Sequence, residues 1–344
     1  MIRFIALSMC AAHSFWAFSA QNAPLTLIKT FSMPDVPKGP YCDHLAIDVG
    51  GKRLFTTPQA QKSVEVLDLD SGKLIHTIPG LENPHSVLYR SDLDRIYITD
   101  GGAGLLRVFD GKSYQPLADI KLRADADSIS YDPATRYLYV TNGGKELGQT
   151  FSFLSVVDTT TYKLLGDIRV EDAALEAMAQ ETSSPRMYVN LYASSRLAVV
   201  DRAMRSVVAI WPVTKGRKNI AMGIDEADHR LFLGCRNTEQ SGVIIVLDTR
   251  TGEEIETLPI GGWVDYVIYD QPSKRLYASC GAPFPNGGDV YVYQQKQSDR
   301  YDLLAKIPTA PRAKTGLLVP ELKKFFVPVP HFESEARVLV FRVQ

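Results

Sequence analysis

Two histidines and two carboxylates stand at similar intervals along this chain: His44, His85, Asp127 and Glu176 lie 41, 42 and 49 residues apart. Imidazole nitrogens and carboxylate oxygens together form the donor set of a divalent-cation site. The same groups can move protons, because crowded carboxylates raise one another's pKa and histidine titrates near neutrality. Asp43, Asp125, Asn219, Asp265 and Lys314 stand one or two places from the same position in their own stretches of chain. The plain alternative is a polar lining that only binds water. What decides between them is whether the elements carrying these residues converge.

Those elements repeat. A buried pair recurs at Leu54-Phe55, Ile96-Tyr97, Leu138-Tyr139, Met187-Tyr188, Leu231-Phe232, Leu276-Tyr277 and Phe325-Phe326, at intervals of 42, 42, 49, 44, 45 and 49 residues. Aligned on this pair, one position reads His44, His85, Asp127, Glu176, Ala221, Tyr266 and Thr315. Each pair is preceded by one apolar run and followed by another, such as Leu106-Arg107-Val108-Phe109-Asp110. Alternating, Val-rich runs bounded by Asp, Gly and Ser read as strands. A further run follows in six copies. The seventh copy lacks it, and the stretch from Leu25 to Phe31 has its rhythm.

A period in the forties with four strands per copy predicts an all-β, seven-bladed β-propeller of four-stranded blades. The N-terminal strand pairs into the last blade and closes the ring, which removes two open sheet edges. Residues 24–344 then form one domain. The stretch from Asp172 to Gln180 is rich in helix formers, but the repeat register makes it the innermost strand of copy four. In this frame the aligned residues lie near one mouth of the axial channel. Asp68, Asp110, Asp158, Asp201 and Asp248 read as turn formers. Arg53, Arg95, Arg136, Arg186, Arg230 and Arg275 read as solvated turn residues.

The net charge of −1 and the lack of a basic cluster argue against nucleic acid or an anionic membrane as partner. Residues 1–20 read as a signal peptide: Arg3, an apolar stretch from Phe4 to Phe18, and small residues near Ser19 and Ala20. Export to a periplasm or beyond follows, with no transmembrane segment in the mature chain. Cys235 and Cys280 share one repeat position in neighbouring copies. An oxidising compartment permits a disulfide there, whereas the spacing of adjacent blades leaves it open. No Gly-x-Ser-x-Gly elbow, haem-attachment motif or phosphate loop is present. Longer connections run from Gly144 to Phe151, Arg236 to Gly242 and Ala282 to Asp289, the last with Phe284 between two prolines. They share one place in the repeat, so they crowd one rim, where loops carry binding.

The run Tyr139-Val140-Thr141-Asn142, with variants Tyr97-Ile98-Thr99-Asp100 and Tyr188-Val189-Asn190-Leu191, resembles the YVTN-type, YncE-like family of exported bacterial β-propellers. The resemblance spans nearly the whole mature chain and implies the fold and export. It carries no activity, since the motif residues pack blades. The expected function is therefore non-catalytic binding of a small molecule or envelope protein at the channel mouth and longer loops. Asp43, Asn219, Asp265, Lys314 and Phe284 are the candidate ligand contacts. The alternative is a metal-assisted lactonase or lyase, with His44, His85, Asp127 and Glu176 as metal ligands or catalytic groups around a divalent ion in the channel.

Overall fold

The computed structural model describes residues 23–282 and 287–344. The expected signal peptide and the Phe284 contact lie outside the described residues. Seven four-stranded antiparallel sheets follow one another around a ring. Their innermost strands are Cys42–Asp48, Pro84–Arg90, Ile129–Asp132, Leu175–Gln180, Asn219–Asp225, Val264–Asp270 and Leu317–Val319, for blades 1 to 7. Consecutive innermost strands touch, those of blades 6 and 7 through the Tyr266 hydroxyl, which accepts from the Leu318 amide, and blade 7 meets blade 1. The chain is a seven-bladed β-propeller.

Closure occurs as the repeat requires. Leu25–Met33 pairs antiparallel with Ala336–Val343, with Phe31 opposite Val338. Leu175–Gln180 is a strand, hydrogen-bonded to Arg186–Leu191. Its helix propensity is overridden because the pairing partner is already fixed by neighbouring blades.

The core is not one mass but seven layers between blades. The period of two sends the two anchor residues to opposite faces of their strand. Phe55 packs with Ile96 of the next blade, Tyr97 with Leu138, Tyr139 with Met187 and Tyr188 with Leu231. Phe232 packs with Leu276, Tyr277 with Phe325, and Phe326 with Leu54 across the closure. All fourteen anchor residues are buried, none above 1% exposure. Such layers hold each innermost strand at a set angle to its neighbours, which is what a channel site needs.

Two groups of turn residues behave differently from each other. The Asp residues do form turns: Asp110 Oδ1 accepts hydrogen bonds from the Ser113 amide and hydroxyl, and Asp158 Oδ1 from the Thr160 and Thr161 amides. The arginines are not uniformly solvated. Arg230 is buried between Asp248 and Asp299, and Arg53 binds Asp48 and the Tyr114 hydroxyl of the next blade. A guanidinium has enough donors to tie several loops at once, and here it does so between blades. Cys42, Cys235 and Cys280 are free thiols, each buried, so the possible disulfide does not form.

Candidate ligand site at the channel mouth

The mouth residue is the one twelve places before the second anchor residue, in every blade. These are Asp43, His85, Asp127, Glu176, Ile220, Asp265 and Lys314, and all seven line one cavity of about 250 Å³. The alignment read from sequence was one residue late in blades 1, 5, 6 and 7. His44, Ala221, Tyr266 and Thr315 therefore give way to their preceding neighbours. His44 still borders the cavity, with Nε2 3.7 Å from Asp43 Oδ1.

A bulge explains why adjacent residues are easily exchanged. Pairing between the first two strands skips between Cys42 and Leu45, Pro84 and Val87, Leu175 and Met178, Asn219 and Ala221, and Val264 and Tyr266. Each skip contains the mouth residue. In blades 3 and 7 that residue precedes the paired strand, which begins at Ile129 and Leu317. A bulge breaks the strict alternation of faces and re-aims one side chain. Here it turns that side chain into the channel.

The bulges are fastened by the next strand and the next blade. Thr57 Oγ1 donates to the carbonyls of His44 (3.0 Å) and His85 (3.2 Å), and Thr99 Oγ1 donates to the Asp127 carbonyl (2.7 Å). The Ser86 amide donates to Thr99 Oγ1, and the Ser128 amide to Thr141 Oγ1. Thr315 Oγ1 donates to the Asp43 carbonyl, and Asn190 Nδ2 to that of Ala221. The threonine of the repeated Tyr-Val-Thr-Asn pattern thus supports the mouth as well as the blade.

One side of the ring is internally paired. His85 Nδ1 lies 3.0 Å from Asp43 Oδ2 and 3.6 Å from Asp127 Oδ1. Gln59 Nε2 donates to Asp43 Oδ2 (3.1 Å), and the Asn83 side chain contacts His85 Nε2 (2.8 Å). Gly101 leaves room for that ring: a Cβ there would sit 2.8 Å from His85 Cδ2. Lys314 donates to Asp265 and lies 3.9 Å from Asp43. Arg236 donates to Asp265 (2.7 Å) and to the Val264 carbonyl (2.9 Å).

The other side is short of positive charge. Glu176 and Asp125 accept no hydrogen bond from the described residues; Asp127 has His85 3.6 Å away, and Lys145 acts on Asp125 through its charge alone. Burial, then the charge of Asp127, lifts Asp125 to about 6. Burial likewise raises Asp127, against the pull of His85. Glu176 is pushed well above the usual range, by burial first and then by Asp127 and Asp265. His85 goes the other way for a base: burial disfavours its cation, but Asp127 and Asp43 outweigh that and raise it to about 10. Asp43 is held below the usual carboxylate range, because Lys314, His44 and His85 outweigh its burial. Charge repulsion among desolvated carboxylates is relieved only by protons or by a cation.

Several mouth residues were not legible in the repeat. Lys145 and Arg236 arrive from the longer connections, and Tyr41, Gln59 and Trp263 complete the wall. Trp263 has φ of 58°, and Asp125 and Arg312 at the same repeat position have 61° and 63°. A left-handed tryptophan is backbone strain held at the rim of a cavity. The Arg312 guanidinium lies 4.6 Å from the Trp263 ring centre and 4.3 Å from that of Phe332. Asn219, expected as a ligand contact, is fully buried between blades, where Nδ2 donates to Asn190 Oδ1 (2.6 Å) and the Arg196 carbonyl (2.8 Å).

A metal ion has a narrower set of donors than the sequence suggested. One ligand atom from each of Asp43, His85 and Asp127 lies within 4.8 Å of the others. His44 and Glu176 are outside that group.

No family model matches the chain, and no curated protein matches it. Solved structures do. A chain of the hydrazine synthase of Kuenenia stuttgartiensis superposes with a TM-score of 0.74 at 17% identity, covering 89% of this chain and 97% of that one. A chain of a mitotic checkpoint complex gives 0.73 at 14%, covering 99% of each. U3-55K gives 0.73 at 13%, covering 92% of this chain and 98% of its own. At these identities the likeness is one of fold, and it agrees with the ring described above.

Proposed function

We propose that this chain is an exported, YVTN-type binding propeller that takes a small positively charged ligand in the mouth of its channel. The observation that carries the reading is the charge balance of the cavity wall. Five carboxylates (Asp43, Asp125, Asp127, Glu176 and Asp265) face Lys145, Arg236, Lys314 and the His85 cation, so the wall is one positive charge short. Glu176 and Asp125, which accept no hydrogen bond from the described residues, are raised by burial and by the charge of neighbouring carboxylates. A bound cation offsets that repulsion and pairs carboxylates that the protein itself leaves without a hydrogen bond. No catalytic step is needed for this. Export rests on the leader pattern of residues 1–20, and N-terminal sequencing of the secreted or periplasmic protein tests it.

Calorimetric titration with a small ammonium ion tests the binding. Binding should weaken at least tenfold in Glu176→Gln and in Asp127→Asn. Unchanged affinity in both variants removes the mouth as the site.

A second reading is favoured by the Asp43–His85–Asp127 group alone. These three would hold a divalent cation, with the Asn83 side chain orienting His85 from behind. When bound, such an ion polarises a carbonyl or activates water, the chemistry of a lactonase or lyase. Stoichiometric metal in the purified protein, lost on His85→Ala, separates this reading from the first.

A further inference from the structure

Two residues beyond each mouth residue the channel changes character. That position reads Leu45, Val87, Ile129, Met178, Met222 and Val267, with Gly316 in blade 7. The six side chains line a second cavity of about 250 Å³ on the same axis, and His44 and Asp265 are walls of both cavities. An ionisable ring is thus stacked directly on an apolar ring. Ile129 and Met178 keep surface open to that cavity. Two of the six are methionines, which adapt to tails of different shape.

We propose that the channel takes an organic cation with an apolar tail. The ammonium group sits against Asp127 and Glu176, and the alkyl or aryl tail runs past His44 and Asp265 into the ring of Leu45, Val87, Ile129, Met178, Met222 and Val267. The inference rests on the cation-binding reading and adds the tail. A bare metal ion or a short amine would use the upper cavity and leave the lower one to water. A tailed cation removes apolar wall from water at the same time as it neutralises the carboxylates, so the two rings act on one ligand.

The experiment is calorimetry of the full propeller chain with ethyl-, butyl-, hexyl- and octylammonium chloride, with octanoate as the charge control. Affinity should rise roughly fourfold per methylene until the tail fills the lower ring. Octanoate should not bind. Met178→Asp should remove the dependence on length, and the milder Val267→Thr should reduce it should the first variant fold poorly. Ethyl- and octylammonium binding equally well overturns the tail while leaving the cation reading intact. Failure of every ammonium ion overturns both. Octanoate binding as tightly as octylammonium overturns the role given to the carboxylates.

Discussion

Glu176 shows how far a single side chain at the mouth departs from what stability alone would select. Its carboxyl is buried among Asp127 and Asp265, and its ordinary value is exceeded for that reason. A carboxyl whose folded value is raised obliges the fold to take up a proton, and the penalty grows as pH rises above the ordinary carboxyl range. Glu176→Gln should therefore raise the melting temperature at pH 7. The gain should fade near pH 4, where the carboxyl is protonated folded or unfolded. Thermal melts of both proteins at the two pH values check this. A variant that is more stable yet binds cations less well is the pattern of a residue kept for its ligand. His85 illustrates the opposite arrangement, a cation bracketed by Asp43 and Asp127 and supported by Asn83 and Gln59.

At the scale of elements, the bulged innermost strand is the unit that presents chemistry. Its shape depends on hydroxyls from the adjoining strand, which bond backbone groups left over by the bulge. Thr99→Val keeps the volume but leaves the Ser86 amide and the Asp127 carbonyl without this partner. Buried groups stripped of a partner cost about 1–3 kcal/mol, and chemical denaturation should show a loss of that size. Cation affinity should fall with it, since Asp127 is no longer held in place. On the opposite face the turns between first and second strands are also tied blade to blade. Glu226 accepts from the amides of Thr182 (2.8 Å) and Ser183 (2.7 Å) and from both hydroxyls. Burial works against the Glu226 carboxylate, but these bonds outweigh it and hold it at about 2. A lowered carboxyl contributes stability that is complete above about 4.3, the unfolded value, and is lost as pH falls towards 2. Glu226→Gln should be destabilised by about 1 kcal/mol at pH 7, with the difference from the parent vanishing near pH 2.

At the scale of the molecule, the ring is held shut by the strand from Leu25 to Met33. Phe31 is 1% exposed and packs in the layer between blades 7 and 1, with Leu54 and Phe326. Phe31→Ala leaves a cavity at the one place where the ring is closed by non-consecutive chain. Such truncations cost about 3–5 kcal/mol. Limited proteolysis should then cut first near the N-terminal strand, and the melting transition should broaden or split as the terminal blades detach. Cuts elsewhere with a sharp transition would mean that closure is not the weak point. Because Asp43 of blade 1 faces Lys314 of blade 7 across this seam, loosening it should also weaken the mouth.

The count of blades, the closing strand and the strand at Leu175–Gln180 were all readable from the chain. Anchor pairs such as Leu54-Phe55 and Phe325-Phe326 repeat the same local pattern seven times, and an alternating strand needs only local sequence to show its faces. That the polar residues from His85 to Glu176 gather at one mouth was readable for the same reason. Which of two neighbours holds the mouth position follows from a constant spacing of twelve places before the second anchor residue; that Asp43 and His44 both border the cavity, because the bulge suspends alternation, did not show in the sequence. Arg236, Lys145 and Trp263 reach the cavity from connections whose path is set by packing, and Asn219 is withdrawn into a gap between blades. Faces follow from the period of a strand; the filling of a channel follows from where seven strands and their loops meet.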